Sequence, residues 1–393
     1  MFELLKTDIA TQARRGRLTT AHGVIDTPAF MPVGTQGSVK AVSPRELREL
    51  NAHIILGNTY HLFVRPGLDV IRHFAGLHRF ISWDGPILTD SGGYQIFSLA
   101  KLRKITDDGV HFQNHVDGTA AFISPEIAIE IQSSLGSDVA MVLDECPPWP
   151  CPYEYAARSL GLTLRWAKRC KKKSESLNSN SEIKSEIRNQ KLEIPQLVFG
   201  IVQGATFPEL RKQAAQALVD IGFDGYAIGG VSVGEPEEEM MRAVESSEPF
   251  LPANKPRYAM GLGTPPQMLE LIARGIDMFD CVLPTRLARN GTAFTTTGTL
   301  NLKNAEFAMD RNPIEENCAC PACSEFSRGY IRHLIKAEEI LGLRLTTLHN
   351  LHFYLELMRQ ARDAINNGRF AQLRAEFVAA YRAHHSEPTG ARL

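Results

Sequence analysis

Three aspartates that follow apolar, strand-like runs are the residues of this sequence best suited to chemistry. Asp90, Asp144 and Asp280 each come directly after such a run. Carboxylates that face one cavity repel each other, so they need protons, hydrogen-bond donors or a cationic ligand. This arrangement is costly for stability but useful for acid, base and nucleophilic work. One such aspartate alone would more simply cap the next helix, and it is the set of three that favours an active site.

Polar groups at the ends of two further runs extend this pattern. Gln203 follows one run and Gly229-Gly230 follows another, so an amide side chain and bare backbone amides would border the same cavity. Two carboxylates are the usual groups at a glycosidic carbon. A third carboxylate and amide donors could bind the edge of a flat polar heterocycle. The pattern therefore predicts cleavage or exchange at an N-glycosidic bond.

A cysteine motif lies apart from these residues. Cys318, Cys320 and Cys323 share one short segment, and His349 follows, a donor set that suits a closed tetrahedral Zn²⁺ site. Three buried or redox-active cysteines are the alternative, which their close spacing makes less attractive. His352 is a rival fourth ligand, because spacing alone does not separate it from His349. Four protein ligands leave no position for water, so we expect a structural zinc.

Eight short apolar runs separated by helical patterns must position these groups. Most runs lack a polar face, which is typical of strands covered on both sides. They span residues 29–33, 53–56, 86–89, 139–143, 197–202, 225–228, 258–261 and 276–279. Helix-capping boxes are expected at Ser43, Thr206 and Thr264, and glycine helix ends at Gly222 and Gly275.

This alternation predicts an α/β fold, a (β/α)₈ TIM barrel, in which chemistry sits at the C-terminal ends of the strands. A doubly wound open sheet is the alternative, and it is disfavoured because no G-x-G-x-x-G motif opens the first unit. The polar stretch 168–195 predicts a mobile surface insertion. Residues 1–300 are therefore expected to form the barrel with an N-terminal extension, and residues 301–393 a zinc-binding subdomain with C-terminal helices. Within the latter, helical patterns are expected over 330–341 and 351–367, with 340–345 separating the first helix from His349.

Composition excludes several classes of protein. The chain has 393 residues with 43 Lys and Arg against 44 Asp and Glu, so a strongly basic nucleic-acid-binding protein is excluded and any such partner must meet a local basic surface. With 44% hydrophobic and 22% charged residues, wholesale disorder is excluded as well. We see neither a secretory signal nor a run of the roughly 18–20 apolar residues that a membrane span needs. The expected location is the cytoplasm, where clustered cysteines are first read as metal ligands.

The motifs together resemble one family over nearly the whole chain. They are Gly34-Thr-Gln-Gly-Ser38, Gly57-Asn-Thr-Tyr-His61, Thr89-Asp-Ser-Gly-Gly-Tyr-Gln95, Gly229-Gly230, Asp280-Cys-Val-Leu-Pro-Thr-Arg286 and the cysteine motif. This set resembles the bacterial, queuine-pathway type of tRNA-guanine transglycosylase. The fold of that family is a modified (β/α)₈ barrel with a zinc subdomain, and the resemblance favours His349 as the fourth ligand.

The resemblance implies a role for each site residue. Asp280 would be the nucleophile that attacks C1′ of the wobble guanosine, and Asp90 the general acid/base. Asp144 would bind the N1/N2 edge of the base, while Gln203 and the Gly230 amide hold O6. The implied base-binding residues are Ser91, Tyr94, Asp144, Cys146, Gln203, Gly229, Gly230, Val231, Val233 and Met260, with Tyr94 and Met260 on the two faces of the ring. Arg286 and Arg289 would bind phosphates beside the wobble nucleotide.

The resemblance also implies the partners. These are tRNAs with a G-U-N anticodon (for Asp, Asn, His and Tyr), guanine, and 7-aminomethyl-7-deazaguanine (preQ₁), the base inserted in queuosine biosynthesis. Val233 and Cys146 match the bacterial pattern, whereas Ser232 is eukaryote-like. A homodimer with one structural Zn²⁺ per subunit is expected, with no membrane partner. An N-glycoside hydrolase and a non-catalytic RNA-binding subunit are the alternatives, and the complete set of aspartates disfavours the second.

Overall fold

A parallel sheet of nine short strands forms the centre of the computed structural model, which describes residues 1–99, 103–179 and 194–383. In chain order the strands are β1 Phe2–Thr7, β2 Arg14–Thr20, β3 Gly23–Thr27, β4 Ala29–Met31, β5 Val33–Gly34, β6 Ile55–Gly57, β7 Ile87–Thr89, β8 Arg103–Ile105, β9 Val110–Gln113, β10 Ala120–Ile123, β11 Val139–Met141, β12 Leu197–Val202, β13 Gly225–Ile228, β14 Arg257–Ala259, β15 Met278–Asp280, β16 Thr292–Thr295 and β17 Gly298–Asn301. The central sheet consists of β4–β7 and β11–β15, whose side chains are almost all buried, as strands covered on both faces require.

Helices follow most of the central strands. They are α1 Pro44–Glu49, α2 Thr59–Val64, α3 Leu68–His73, α4 Leu77–Ile81, α5 Gly93–Leu99, α6 Pro125–Leu135, α7 Tyr153–Ser179, α8 Pro208–Ile221, α9 Glu237–Glu245, α10 Pro265–Ala273, α11 Leu283–Ala288, α12 Pro321–Glu325, α13 Arg328–Lys336, α14 Ile340–Asn366 and α15 Phe370–Ala383, with 3₁₀ turns at Glu248–Phe250 and Ala305–Met309. None of the helices in the described ranges is long and apolar enough to cross a membrane.

The central sheet closes on itself through its first segment. Strand order is β4-β15-β14-β13-β12-β11-β7-β6-β5, so β4 pairs with the last strand and β5 with β6. Pro32 separates the two halves because proline has no N–H to give to a ladder. Its carbonyl still accepts from the Leu56 amide at 3.0 Å. The predicted eight-stranded barrel is confirmed, with its first strand broken in two, and the open-sheet alternative is wrong.

Two of the three expected capping boxes are present. Ser43 and Thr264 each exchange hydrogen bonds with the residue three positions on. The box expected at Thr206 is wrong, since Pro208 occupies the first position of α8 and makes Phe207 the N-cap, with no side-chain cap. Gly222 and Gly275 lie at helix ends with φ of +82° and +88°, as expected.

The polar stretch that begins at Lys168 is not a loop at its start. Helix α7 continues to Ser179, and its buried positions Trp166, Cys170 and Ser174 recur at helical spacing on the face that meets α6 and α8. Residues 168–179 are therefore helix rather than the expected mobile loop, and their being an insertion stays a prediction. Residues 180–193 lie outside the described ranges.

The C-terminal part has a small apolar core of its own, which includes Ala293, Cys320 and Leu345. The long helix α14 joins this core to the barrel, because Leu348 and the residues after it pack in the main core. Residues 340–345, expected to separate a helix from His349, are instead the start of α14. The division at residue 300 stays a prediction.

Candidate active site

The predicted polar groups gather where the barrel strands end. Asp90 follows β7, Gln203 follows β12, Gly229 follows β13, and Asp280 is the last residue of β15. Asp144 comes three residues after β11. Because these strands are parallel neighbours in one closed sheet, their ends bring the five groups to one rim of the barrel.

Asp90 is a buried carboxyl held by three donors. Its Oδ1 accepts from the Thr59 amide at 2.9 Å and the Gly92 amide at 3.2 Å, and its Oδ2 accepts from Asn58 Nδ2 at 2.5 Å. Burial raises the pKa of Asp90 to about 7, and the negative charges of Asp280 and Asp144 add to the rise against the amide donors. An acid with such a pKa can give and take a proton near neutrality.

Asp144 is bound to the amide of Gln203. Gln203 Nε2 donates to its Oδ2 at 2.6 Å, and Ser91 Oγ donates to its Oδ1 at 3.3 Å. Burial raises the pKa of Asp144 to about 6, although the Gln203 and Ser91 donors oppose the rise. Gln203 Oε1 is buried, and none of the described residues donates a hydrogen bond to it. An acceptor at Asp144 and an adjacent amide match a ligand edge that carries N–H donors next to a carbonyl.

Glycines line this part of the site because side chains would not fit. A Cβ at Gly230 would lie 2.2 Å from Gln203 Oε1, and φ there is +62°. A Cβ at Gly229 would lie 2.5 Å from Ile201 Cγ2, and one at Gly93 2.9 Å from the Asp144 carbonyl oxygen. The glycines thus leave bare backbone facing a tightly packed pocket.

Asp280 stands at the end of β15 with part of its side chain exposed. Its Oδ1 accepts from the Tyr258 hydroxyl at 2.5 Å and from the Gly261 amide at 2.7 Å. Burial raises the pKa of Asp280, while both donors stabilise the ionised form. The carboxylate is therefore oriented through one oxygen, which leaves Oδ2 as the atom available for a nucleophilic attack.

A loop after β13 closes one edge of the site. Glu235, a buried residue, accepts from the amides of Ser232 and Val233, the latter at 2.9 Å, and Ser232 has a φ of +63°. Val231 is buried and Val233 half-buried. Burial raises the pKa of the Cys146 thiol to about 12, and the charges of Asp144 and Glu235 add to the rise, so Cys146 is a neutral thiol beside these carboxylates.

The remaining predicted residues lie around the rim. Tyr94, near the start of α5, has 51% of its side chain exposed, and Met260 is partly buried just after β14. Arg286 and Arg289 are exposed at and after α11, and neither lies within salt-bridge distance of a carboxylate in the described part of the chain. Their positive charge is thus free to meet an anion.

Sequence reasoning missed the residues that hold the carboxylates. Asn58 and Thr59 belong to the Gly57–His61 motif, to which no role was assigned. The available signal was that Asn58 is a residue type that favours the N-cap position, here of a helix that begins beside Asp90. Tyr258 and Glu235 were missed too, as was Arg211, which donates to the Gly229 and Gly230 carbonyls. Only the fold shows these contacts.

The cysteine motif forms a compact donor set. His349 Nδ1 lies 3.7 Å from Cys318 Sγ, 3.6 Å from Cys320 Sγ and 3.3 Å from Cys323 Sγ. Ligands about 2.0–2.3 Å from a tetrahedral ion have such separations, so the set fits a structural metal site. His349 Nε2 lies 2.7 Å from the Phe294 carbonyl, which orients Nδ1 toward the sulfurs. The geometry selects His349 for this group, and His352 is not part of it.

A second cluster of metal-ligating types lies at the opposite end of the barrel. Asp138 accepts from His22 Nδ1 at 2.9 Å and from the amides of His22 and Ile87, and it lies 3.3 Å from His78 Nε2. The two imidazoles stack with centroids 3.6 Å apart and planes 17° apart. These hydrogen bonds tie the N-terminal sheet to the barrel.

Comparison with known proteins agrees with this geometry. The model of the family "Queuine tRNA-ribosyltransferase" matches residues 8–383. The queuine tRNA-ribosyltransferase of Lysinibacillus sphaericus is 54% identical over 97% of this chain and 96% of that protein. The queuine tRNA-ribosyltransferase of Listeria monocytogenes is 53% identical to this chain, over 97% of this chain and 96% of that protein. That of Staphylococcus aureus is 52% identical to this chain, over 98% of each chain. With its strand-end carboxylates and its Cys₃His group, the chain belongs to the queuine tRNA-ribosyltransferase family.

Proposed function

We propose that this chain exchanges guanine at the wobble position of G-U-N anticodon tRNAs for preQ₁, as a tRNA-guanine transglycosylase. The observation that carries the proposal is the gathering of Asp90, Asp144 and Asp280 at one rim of the barrel. Each carboxyl group accepts hydrogen bonds from a different set of donors. Burial at this rim strengthens every charge interaction in the site.

Asp280 would attack C1′ of the guanosine through Oδ2. The C1′–O bond forms as the C1′–N bond breaks, and the leaving guanine takes a proton from Asp90. In the second half, the incoming base loses its ring N–H proton to Asp90 and displaces Asp280 from C1′. Atoms and charge balance, because Asp90 ends protonated and Asp280 ionised, as both began.

The base would be recognised along one edge. Asp144 would accept from N1–H and the 2-amino group, while Gln203 and the Gly230 amide donate to O6. Tyr94 and Met260 would cover the two faces of a base taken out of the anticodon stack. Ser91 and Gly229 would complete the pocket. Cys146, Val231 and Val233 would border the 7-substituent, with the Val231 carbonyl accepting from the aminomethyl group.

Two exposed arginines would bind the RNA, and the metal site would stabilise the fold. Arg286 and Arg289 would contact phosphates beside the wobble nucleotide, which fixes register without reading sequence. One Zn²⁺ per subunit would be held by Cys318, Cys320, Cys323 and His349, and would stabilise the small core.

We propose a homodimer, in which one subunit performs the chemistry while the other supports the tRNA. A fully active monomer by light scattering at micromolar concentration would contradict the dimer.

The test is incorporation of labelled guanine into unmodified tRNA with a G-U-N anticodon. We expect incorporation that preQ₁ suppresses and queuine does not. Suppression by queuine would overturn the choice of base. Release of guanine from tRNA without any incoming base would indicate a hydrolase, and a zinc-loaded protein without either activity would contradict the proposed exchange.

A further inference from the structure

The buried side chain of Arg211 has no role in the chemistry above. It is fully buried in the first turns of α8, where a cation opposes the positive end of the helix dipole. None of the carboxylates in the described ranges forms a salt bridge with it. Burial lowers the pKa of Arg211 to about 10, although the charge of Glu235 acts against the fall. Burying an unpaired guanidinium is costly, so its hydrogen bonds must offset that cost.

Those hydrogen bonds go to four backbone carbonyls at the ends of two neighbouring strands. Nε donates to the Ala205 oxygen at 2.6 Å, and Nη1 to the Val202 oxygen at 3.0 Å. Nη1 also donates to the Gly229 oxygen at 2.7 Å, and Nη2 to the Gly230 oxygen at 3.1 Å. The guanidinium therefore joins the end of β12 to the end of β13.

The hydrogen bond from Arg211 to the Gly229 carbonyl also fixes the Gly230 N–H, because both groups belong to the same peptide. A trans peptide is planar, with its C=O and the following N–H pointing in opposite directions. Arg211 holds the Gly229 oxygen, so it also sets the direction of the Gly230 N–H. Gly230 has a φ of +62°. Because glycine has no side chain, the residue itself does little to restrict the orientation of this peptide.

We propose that Arg211 is a positioning residue for base recognition, which aims the Gly230 amide at O6 of the purine. The proposal rests on the proposed function, since it concerns the same pocket. Asp144 lies outside the set of groups that Arg211 contacts, and is held by Gln203 and Ser91. Arg211 should therefore affect recognition of the O6 edge and leave recognition of the 2-amino group intact.

Two competitor bases separate these edges in the guanine-exchange assay. In 6-thioguanine sulfur, a weaker acceptor, replaces O6, and hypoxanthine lacks the 2-amino group. We expect Arg211→Met to weaken guanine binding by about tenfold and to reduce the preference for guanine over 6-thioguanine by a similar factor. The preference for guanine over hypoxanthine should change less than about twofold. Arg211→Lys, which keeps a donor, should lie between wild type and Arg211→Met.

Arg257→Lys is the matched control, because Arg257 is also buried but binds Glu248 at the other end of the barrel. It should leave both preferences unchanged. Equal losses toward all three bases in Arg211→Met, or in Arg211→Lys if the methionine variant does not fold, would leave both preferences unchanged and show that Arg211 only stabilises the fold. A wild-type enzyme that exchanges no guanine would instead refute the proposed function.

Discussion

The pKa of Asp90 predicts that the two halves of the exchange respond to pH in opposite directions. Burial and the charges of Asp280 and Asp144 raise this pKa to about 7. In the proposed mechanism, expulsion of guanine needs protonated Asp90, so its rate should fall about tenfold per pH unit above pH 7. Capture of the incoming base needs ionised Asp90, so its rate should fall by a similar factor per unit on the acid side.

The covalent intermediate should separate the two midpoints. In the proposed mechanism Asp280 is an ester there, so the negative charge that raises the pKa of Asp90 in the free enzyme would be gone. The midpoint for capture should thus lie below the midpoint for expulsion. Single-turnover rates of guanine release and of preQ₁ capture, each measured from pH 5.5 to 9, would give both midpoints.

Asn58→Ser tests the structural origin of these midpoints. Asn58 donates to Asp90 Oδ2 at 2.5 Å and also caps α2 through its oxygen. Serine keeps a capping oxygen but is too short to supply the donor. A hydrogen bond to a charged group is worth about 1.5–3 kcal/mol, and one pKa unit is about 1.4 kcal/mol, so both midpoints should rise by about one to two pH units. Unchanged midpoints in Asn58→Ser would refute the assignment of Asp90 as the proton carrier.

Three further outcomes follow from single contacts. Gly230→Ala places a Cβ 2.2 Å from Gln203 Oε1 and should raise the KM for guanine about tenfold or more. The control is Gly136→Ala, where φ is similar but the Cβ would meet open space, and it should lower stability without changing the KM. Tyr258→Phe removes a donor to Asp280 and should slow adduct formation about 10–100-fold, while Tyr226→Phe on the adjacent strand should not. Chelation of the metal should raise hydrogen exchange in residues 302–345 and leave β12 protected, and equal exchange in both regions would contradict a local structural role.

The barrel could be predicted because buried parallel strands are apolar throughout and their number fixes the closure. The same logic placed Asp90, Asp144 and Asp280 on one rim, since parallel strands end together. The end of helix α7 could not be predicted from composition, because its Lys- and Ser-rich residues are typical of a loop and only the spacing of Cys170 and Ser174 indicates a buried helical face.

The partners of the site residues could not be predicted. Arg211 lies 18 residues before Gly229 in the sequence, and Tyr258 lies 22 residues from Asp280. Such contacts depend on which strands become neighbours, and arginine or tyrosine in an apolar segment has no distinctive local signal. His349 and His352 were equivalent by spacing, and only the folded structure shows that His349 Nδ1 lies within reach of all three sulfurs.

The central claim, a covalent link between Asp280 and C1′, is tested most directly by trapping the tRNA adduct. Wild-type protein incubated with G-U-N tRNA, without free base, should give a slower band on a denaturing gel. Proteolysis should place the ribose-linked mass on the peptide that contains Asp280, and Asp280→Asn should give no such band. An adduct of undiminished yield in Asp280→Asn, or one mapped to another peptide, would contradict the account.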